Sequence, residues 1–188
     1  MGFDAVRDAM RDTRFGVDPR KSPFVEMMVR QISRGEEIRF FQEPTMLNLD
    51  PPDHTRLRRL ARRGFLHRYI QSLESTVRAL ADECLAPVQG QATFDLMETL
   101  AGPLPAFLIA DILGVLREGR RRFQEWSDYL ARHARTFEYE AIKKTDKAYN
   151  ELMDYLAGMV EEKRANPGDD LISQLITADG SGSLSSPS

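Results

Sequence analysis

The sequence lacks several features that would assign it to common classes of protein. It has only one cysteine, Cys84, which excludes an intramolecular disulfide. No apolar run approaches the ~18 residues that a membrane-spanning helix needs, and the charged start MGFDAVRD does not resemble a signal peptide. Its 26 basic residues are outnumbered by 29 acidic ones, whereas general nucleic-acid binders are usually basic. We therefore expect a cytoplasmic protein that binds neither membranes nor nucleic acid.

Apolar residues recur at helical spacing along almost the whole chain. This pattern predicts an all-α fold of about seven or eight helices with at most one minor strand pair, for which Ala92–Leu96 is the candidate. The segment IRFFQEPTML, residues 38–47, has a proline and no clear period, so we expect a loop there. Residues 1–179 are predicted to form one helical domain, followed by a disordered Gly/Ser-rich tail at 180–188.

Several helix boundaries can be predicted from local signals. Ser22 is a candidate N-cap with Pro23 at the first helical position, and Gly35 is expected to end that helix. The first helix is expected to end at Phe15–Gly16, a fourth helix to span roughly residues 73–88, and a short last helix to start near 167–169. The strongest amphipathic pattern lies in EAIKKTDKAYNELMDYLAGMVEEKRAN, which predicts one long helix.

The stretch LNLDPPDHTRLRRLARRGF, residues 47–65, is strongly basic in an acidic chain. Asp50 is a natural N-cap there, and two prolines fit the first turn of the helix. At about 100° per residue, Leu57, Leu60, Ala61 and Gly64 form an apolar stripe. His54 and Arg58 project together along its edge, which suits a ligand with an apolar body and carboxylate tails. The alternative is a solvated arginine face beside an ordinary first-turn histidine.

The motif LDPPDHTRLRRLARRGF closely resembles the C-helix signature of bacterial cytochromes P450. Other segments resemble parts of that family in the family's order. GFDAVRDAMRDTRFG resembles the B helix, PLPAFLIADILGV the E helix, RFQEWSDYL the start of the F helix, and GDDLISQLI the segment before the I helix. The resemblance implies the N-terminal half of the P450 fold, from the B helix to the H-helix region.

The resemblance also implies roles for individual residues. His54 and Arg58 would hydrogen-bond a haem propionate. The surface around this helix would meet an acidic ferredoxin-type partner through Arg56, Arg59, Arg62 and Arg63, although a plain solvated face is the alternative. The preceding loop and the F and G segments would line a substrate pocket. Candidate lining residues are Phe40, Phe41 and Trp126, although aromatic residues at such positions are usually core.

Three parts of the family's catalytic machinery do not occur in the sequence: the I-helix acid/alcohol pair, the ExxR motif in its family position, and the cysteine-bearing haem loop. Residues 161–164 spell E-x-x-R but fall out of the family's order, so we expect a surface charge cluster there. Cys84 lacks the glycines and phenylalanine that precede the family's ligand, which predicts a small core residue. We therefore expect no catalytic residue and no metal ligand, and haem that is absent or weakly bound.

Three functions are compatible with these observations. The chain could be an N-terminal fragment of a P450-like monooxygenase that is inactive by itself. It could be a stand-alone, haem-free module derived from a P450, which binds a small hydrophobic molecule or a partner chain. A helical regulator that binds nucleic acid is disfavoured by the net charge of -3. Because removal of the I helix would expose a large apolar surface, we expect self-association or a complementary partner chain.

Overall fold

The computed structural model describes residues 2–63, 67–133 and 138–178. Within these ranges the chain is helical and contains no β-strand, so the predicted all-α class is confirmed. The helices are α1 (Phe3–Arg11), α2 (Pro23–Ile32), α3 (Arg39–Gln42), α4 (Asp53–Arg63), α5 (His67–Ser72), α6 (Glu74–Leu85), α7 (Pro103–Leu113), α8 (Arg120–His133), α9 (Tyr139–Ala165) and α10 (Leu171–Ala178). In this described part, no helix has the length and apolar character that crossing a bilayer would require.

The chain divides into two compact units, residues 1–59 and 60–188. The first unit has little buried apolar surface: its buried apolar residues are Ile38 and Leu49. Helix α1 forms where the periodicity predicts it, but its apolar face is open, with Phe3 80% and Met10 84% exposed. It ends at Arg11, earlier than the expected stop at Phe15–Gly16. The described part of this unit therefore has only a small apolar core.

The second unit contains the main hydrophobic core. Helices α7, α8, α9 and α10 surround it, and α6 packs on α7 through the buried Leu80 and Cys84. The long amphipathic helix predicted from the sequence is α9, which contributes two buried residues to this core. The core residues are Ala110, Val115, Phe123, Trp126, Leu152, Met159 and Ile172.

A part-buried ion pair connects α9 to the start of α10, close to the end of α7. Lys163 of α9 donates to Asp170 at 2.6 Å, and the same carboxylate accepts from the Ser173 amide at 3.0 Å, which caps the start of α10. Gly114 ends α7 with φ 76°, and a Cβ there would lie 2.8 Å from the Asp170 side chain. Lys163 was expected in a surface cluster, but it is turned inward by this carboxylate. The neighbouring Glu161–Arg164 pair is exposed as expected.

Two local predictions were wrong. Residues 38–47 were expected to be a loop, but they contain α3 and a tighter helical turn at Met46–Asn48. The Arg39–Glu43 ion pair stabilises α3 at i, i+4 spacing, and Pro44 prevents its continuation. Ala92–Leu96 was a candidate strand, but Asp95 instead accepts hydrogen bonds from the amides of Met97 and Glu98 and opens a helical turn.

The remaining boundary predictions were largely confirmed. Ser22 caps α2, since its Oγ accepts from the Val25 amide at 3.4 Å. Gly35 follows the helix with φ 79°, a conformation that glycine adopts without steric cost. The predicted fourth helix corresponds to α6 and the helical turn Ala86–Val88. The predicted tail at 180–188 lies outside the described residues.

Candidate functional site

Helix α4 carries the predicted site, but it begins later than the sequence suggested. Its first residue is Asp53, and Pro51 and Pro52, joined by a cis peptide bond, form the turn before it. The amide of His54 donates to the carbonyl of Asp50 at 3.1 Å. His54 is half-buried and Arg58, one turn later, is exposed. The two side chains are therefore carried on consecutive turns of one helix.

Asp50 was predicted to be the N-cap of α4, and the structure gives its carboxylate another role. Oδ1 accepts a hydrogen bond from the Val17 amide at 2.8 Å, and Oδ2 accepts one from Lys21 Nζ at 3.1 Å. These two interactions hold the pKa of the Asp50 carboxyl below its ordinary value. The carboxylate thus connects the turn before α4 to a segment more than 25 residues earlier.

A second carboxylate stabilises that earlier segment. The nearly buried Asp18 side chain accepts from Arg20 Nη2 at 2.8 Å and Nε at 2.9 Å, and this contact lowers the pKa of Asp18. The same contact raises the pKa of Arg20, with a further attraction from Asp53 in the first turn of α4. Asp50, in the turn before α4, and Asp53, in its first turn, therefore both interact with residues 17–21.

The arginines of α4 are exposed, and its apolar stripe is partly buried. Leu57, Leu60 and Ala61 are half-buried, as the helical period predicts. Among the described residues, none of the exposed arginines forms an ion pair. These are Arg56, Arg58 and Arg59 in the first unit and Arg62 in the second. The side chain of Arg63 and all of Gly64 lie outside the described residues.

The aromatic candidates for a pocket have different environments. Phe40 and Phe41 of α3 are half-buried and meet edge to face, with ring centroids 5.4 Å apart. Trp126 of α8 is 6% exposed, and its Nε1 donates to Glu151 of α9 at 2.9 Å. Its ring also lies 5.5 Å from that of Tyr155. Trp126 is therefore a core residue, whereas a pocket role for Phe40 and Phe41 stays a prediction.

Cys84 lies within α6 and is 9% exposed, which confirms the predicted small core residue. Burial raises the pKa of its thiol, and the neighbouring charge of Glu83 raises it further. The thiol form is therefore favoured over the thiolate that binds metals. In the part of the chain that the structure describes, no three His, Cys, Asp or Glu residues are grouped to hold a metal ion.

Sequence comparison finds many relatives among curated proteins, although no family model matches. The 6-deoxyerythronolide B hydroxylase of Saccharopolyspora erythraea is 32% identical over 177 residues, which are 93% of this chain and 43% of that protein. The polyketide biosynthesis cytochrome P450 PksS of Bacillus subtilis is 31% identical over 182 residues, or 96% and 43% of the two chains. The chain thus spans less than half the length of these relatives.

Solved structures of similar sequence share the fold. A myxobacterial cytochrome P450, CYP267B1, in complex with myristic acid superposes with a TM-score of 0.81 and 31% identity over 95% of this chain and 43% of that one. P450BioI, solved with an acyl carrier protein carrying hexadec-9Z-enoic acid, gives a TM-score of 0.78 and 26% identity over 95% and 45%. The helical fold described above is therefore found in part of these proteins.

Proposed function

Because the chain belongs to the bacterial cytochrome P450 family, we propose that it supplies the propionate-binding side of a haem site. It spans less than half the length of the curated relatives named above. We further propose that these 188 residues are catalytically inactive by themselves. The observation that carries the second part is the state of the only cysteine. Cys84 is buried within α6, and the pKa of its thiol is raised.

The residues of α4 fit a carboxylate ligand. Arg58 is exposed and forms no ion pair among the described residues, and half-buried His54 lies one turn earlier. Hydrogen bonds between a cationic side chain and a carboxylate are shorter and stronger than neutral ones. The first turn of a helix also attracts negative charge. A propionate at this edge would therefore be bound by two side chains and favoured by the end of the helix.

The iron side of a haem site does not fit the residues of this chain. A P450 holds its haem through a cysteine thiolate, which favours cleavage of the O–O bond. The one cysteine here packs inside the second unit, and burial together with Glu83 favours its neutral thiol. No reaction step is therefore assigned to these residues, and monooxygenase activity would need a thiolate from outside the 188 residues.

The propionate role predicts that His54→Ala and Arg58→Ala each weaken haem binding by about tenfold, since a hydrogen bond to a charged group contributes ~1.5–3 kcal/mol. Titration of the purified chain with haem, followed by Soret absorbance, measures this. Arg59→Ala is the matched control, because Arg59 is an exposed arginine of the same helix and lies about 100° around the helix axis from Arg58. Equal affinities for all three variants and the wild type would refute the role.

The other exposed arginines of α4 are proposed to meet an acidic partner protein. Arg56, Arg59, Arg62 and Arg63 would bind a ferredoxin-type partner through charge complementarity, which steers association. A carrier protein is an alternative partner, since P450BioI was solved with one. The exposure of Arg56, Arg59 and Arg62, without ion pairs among the described residues, supports such a surface.

A second candidate function is favoured by the open apolar residues of the first unit. Phe3, Met10, Phe24 and Met27 are each more than half exposed. Soluble monomers rarely leave contiguous apolar surface uncovered. A haem-free module that holds a small hydrophobic molecule, a second copy or a complementary partner chain would account for these side chains.

Light scattering of the purified chain tests this second candidate. At about 100 µM we expect self-association, because burial of apolar surface drives assembly as protein concentration rises. The double variant Phe3→Ser/Met10→Ser is expected to shift the population towards monomer. A monodisperse wild-type monomer at that concentration would argue against self-association. A matched polar change at an exposed polar site, Ser75→Thr, should leave the assembly state unchanged.

A further inference from the structure

Asp50 interacts with the start of α4 and with an earlier segment at the same time. Its carbonyl accepts the amide of His54 at 3.1 Å. Its carboxylate accepts from the Val17 amide at 2.8 Å and from Lys21 Nζ at 3.1 Å. Asp50 therefore joins the backbone of His54, a predicted propionate-binding residue, to residues 17–21. All of these residues belong to the first unit.

The earlier segment approaches this carboxylate so closely that a Cβ at Gly16 would require the carboxylate to shift. A Cβ on Gly16 would lie 2.7 Å from Asp50 Oδ2 and 3.4 Å from its Cγ. Real Cβ atoms do not approach so near without displacement of a neighbour, and here the neighbour is held by two hydrogen bonds. A side chain at position 16 would therefore displace the Asp50 carboxylate from its present position.

We propose that Asp50 is a positioning residue for His54 and Arg58: it anchors residues 16–21 through its side chain and thereby sets the direction in which α4 begins. The inference rests on the proposed propionate role of that pair. Asp50 itself is a carboxylate that accepts from Val17 and Lys21, and because like charges repel, we do not propose it as a propionate-binding residue. Its effect on the ligand is exerted through the placement of the two side chains that bind the propionate.

The size of such an effect can be judged from metal sites. There, residues that orient a ligand without touching the metal change affinity by about 10–100-fold when they are replaced. His54 is bonded to Asp50 through only one backbone hydrogen bond, and Lys21 is largely exposed. We therefore expect the lower end of that range, about tenfold.

Haem titration of the full 188-residue chain tests the proposal with variants on both sides of the contact. Asp50→Ala removes the carboxylate. Gly16→Ala is expected to displace the carboxylate without removing any side chain that forms a hydrogen bond. Both are expected to weaken haem binding by about tenfold. Gly2→Ala is the matched control, since a Cβ there meets no atom within 4 Å. Asp50→Asn keeps an acceptor for the Val17 amide, so we expect it to lose less affinity than Asp50→Ala.

Hydrogen exchange at the Val17 amide supplies a readout that needs no haem. Protection is expected in the wild type and in Asp50→Asn, and is expected to be lost in Asp50→Ala and reduced in Gly16→Ala. If Val17 protection disappears while haem affinity stays at the wild-type value, the positioning role is refuted. The propionate role would survive that result as long as His54→Ala and Arg58→Ala still weaken binding. If those two variants bind haem normally, the propionate role fails and the positioning role fails with it.

Discussion

Replacement of Trp126 by alanine is expected to lower the free energy of unfolding by about 3–5 kcal/mol, the cost that large-to-small changes have in a packed core. Trp126 is 6% exposed and lies among the core residues contributed by α7, α8, α9 and α10. It also donates to Glu151 and packs against Tyr155. The alanine variant would lose the packing, the ring contact and the hydrogen bond together. Chemical denaturation followed by circular dichroism measures the change.

Two further variants identify the source of that loss. Trp126→Phe keeps an aromatic ring but removes the donor to Glu151, and it should cost about 1–2 kcal/mol. Ile109→Ala, on the exposed side of α7, should stay within about 0.5 kcal/mol of the wild type. A loss below about 1 kcal/mol for Trp126→Ala would contradict its place in the core. It would instead favour the substrate-pocket role that the family resemblance suggested for this residue.

Helices with a clear apolar period were predictable from the sequence. The stripe of α9 identified the longest helix, and Ser22 with Pro23 located the start of α2. These features depend on residues within a few positions of one another, which a linear sequence displays directly. The strand predicted at Ala92–Leu96 does not form. The Asp95 side chain accepts a hydrogen bond from a following backbone amide, and a short segment of sequence does not reveal whether such a local bond prevails over strand pairing.

Polar contacts between different structural elements were not predictable. Asp50 looked like an N-cap because the residues around it fit that pattern, yet its partners are Val17 and Lys21. The ion pair between Lys163 and Asp170 was also missed, because Lys163 lies in a run of charged residues that is typical of an exposed surface. No local signal marks a carboxylate whose partner lies on another part of the chain. The close approach at Gly16 is a clue that could have been sought, since glycine is required where backbone meets another group.

The spacing of residues along the sequence predicted only part of the candidate site. The helical period placed His54 and Arg58 on one edge of α4, and the half-buried stripe beside them agrees with that placement. The choice of a haem propionate as their ligand came from the family resemblance, because a lone histidine four residues before an arginine is not specific. The burial of Cys84 was predicted, because the residues before it lack the glycines and phenylalanine of the family's ligand loop, and the structure confirms it.

The largest expected effect concerns the iron ligand. When the 188-residue chain is mixed with haem, reduced and exposed to carbon monoxide, we expect no trace of the Soret band typical of thiolate-ligated haem. The only cysteine is 9% exposed within α6, and the pKa of its thiol is raised by burial. To ligate iron, Cys84 would have to become exposed and lose a proton that burial and Glu83 favour keeping. Propionate contacts from His54 and Arg58 do not depend on this step.

The spectrum of the reduced, carbon monoxide-bound chain, with Cys84→Ser measured alongside, tests most directly whether this chain lacks an iron ligand. We expect haem to bind with an affinity that depends on His54 and Arg58, and the spectra of the wild type and Cys84→Ser to be the same. A thiolate-type band in the wild type that disappears in Cys84→Ser would contradict the proposed inactivity, because the chain would then supply its own iron ligand.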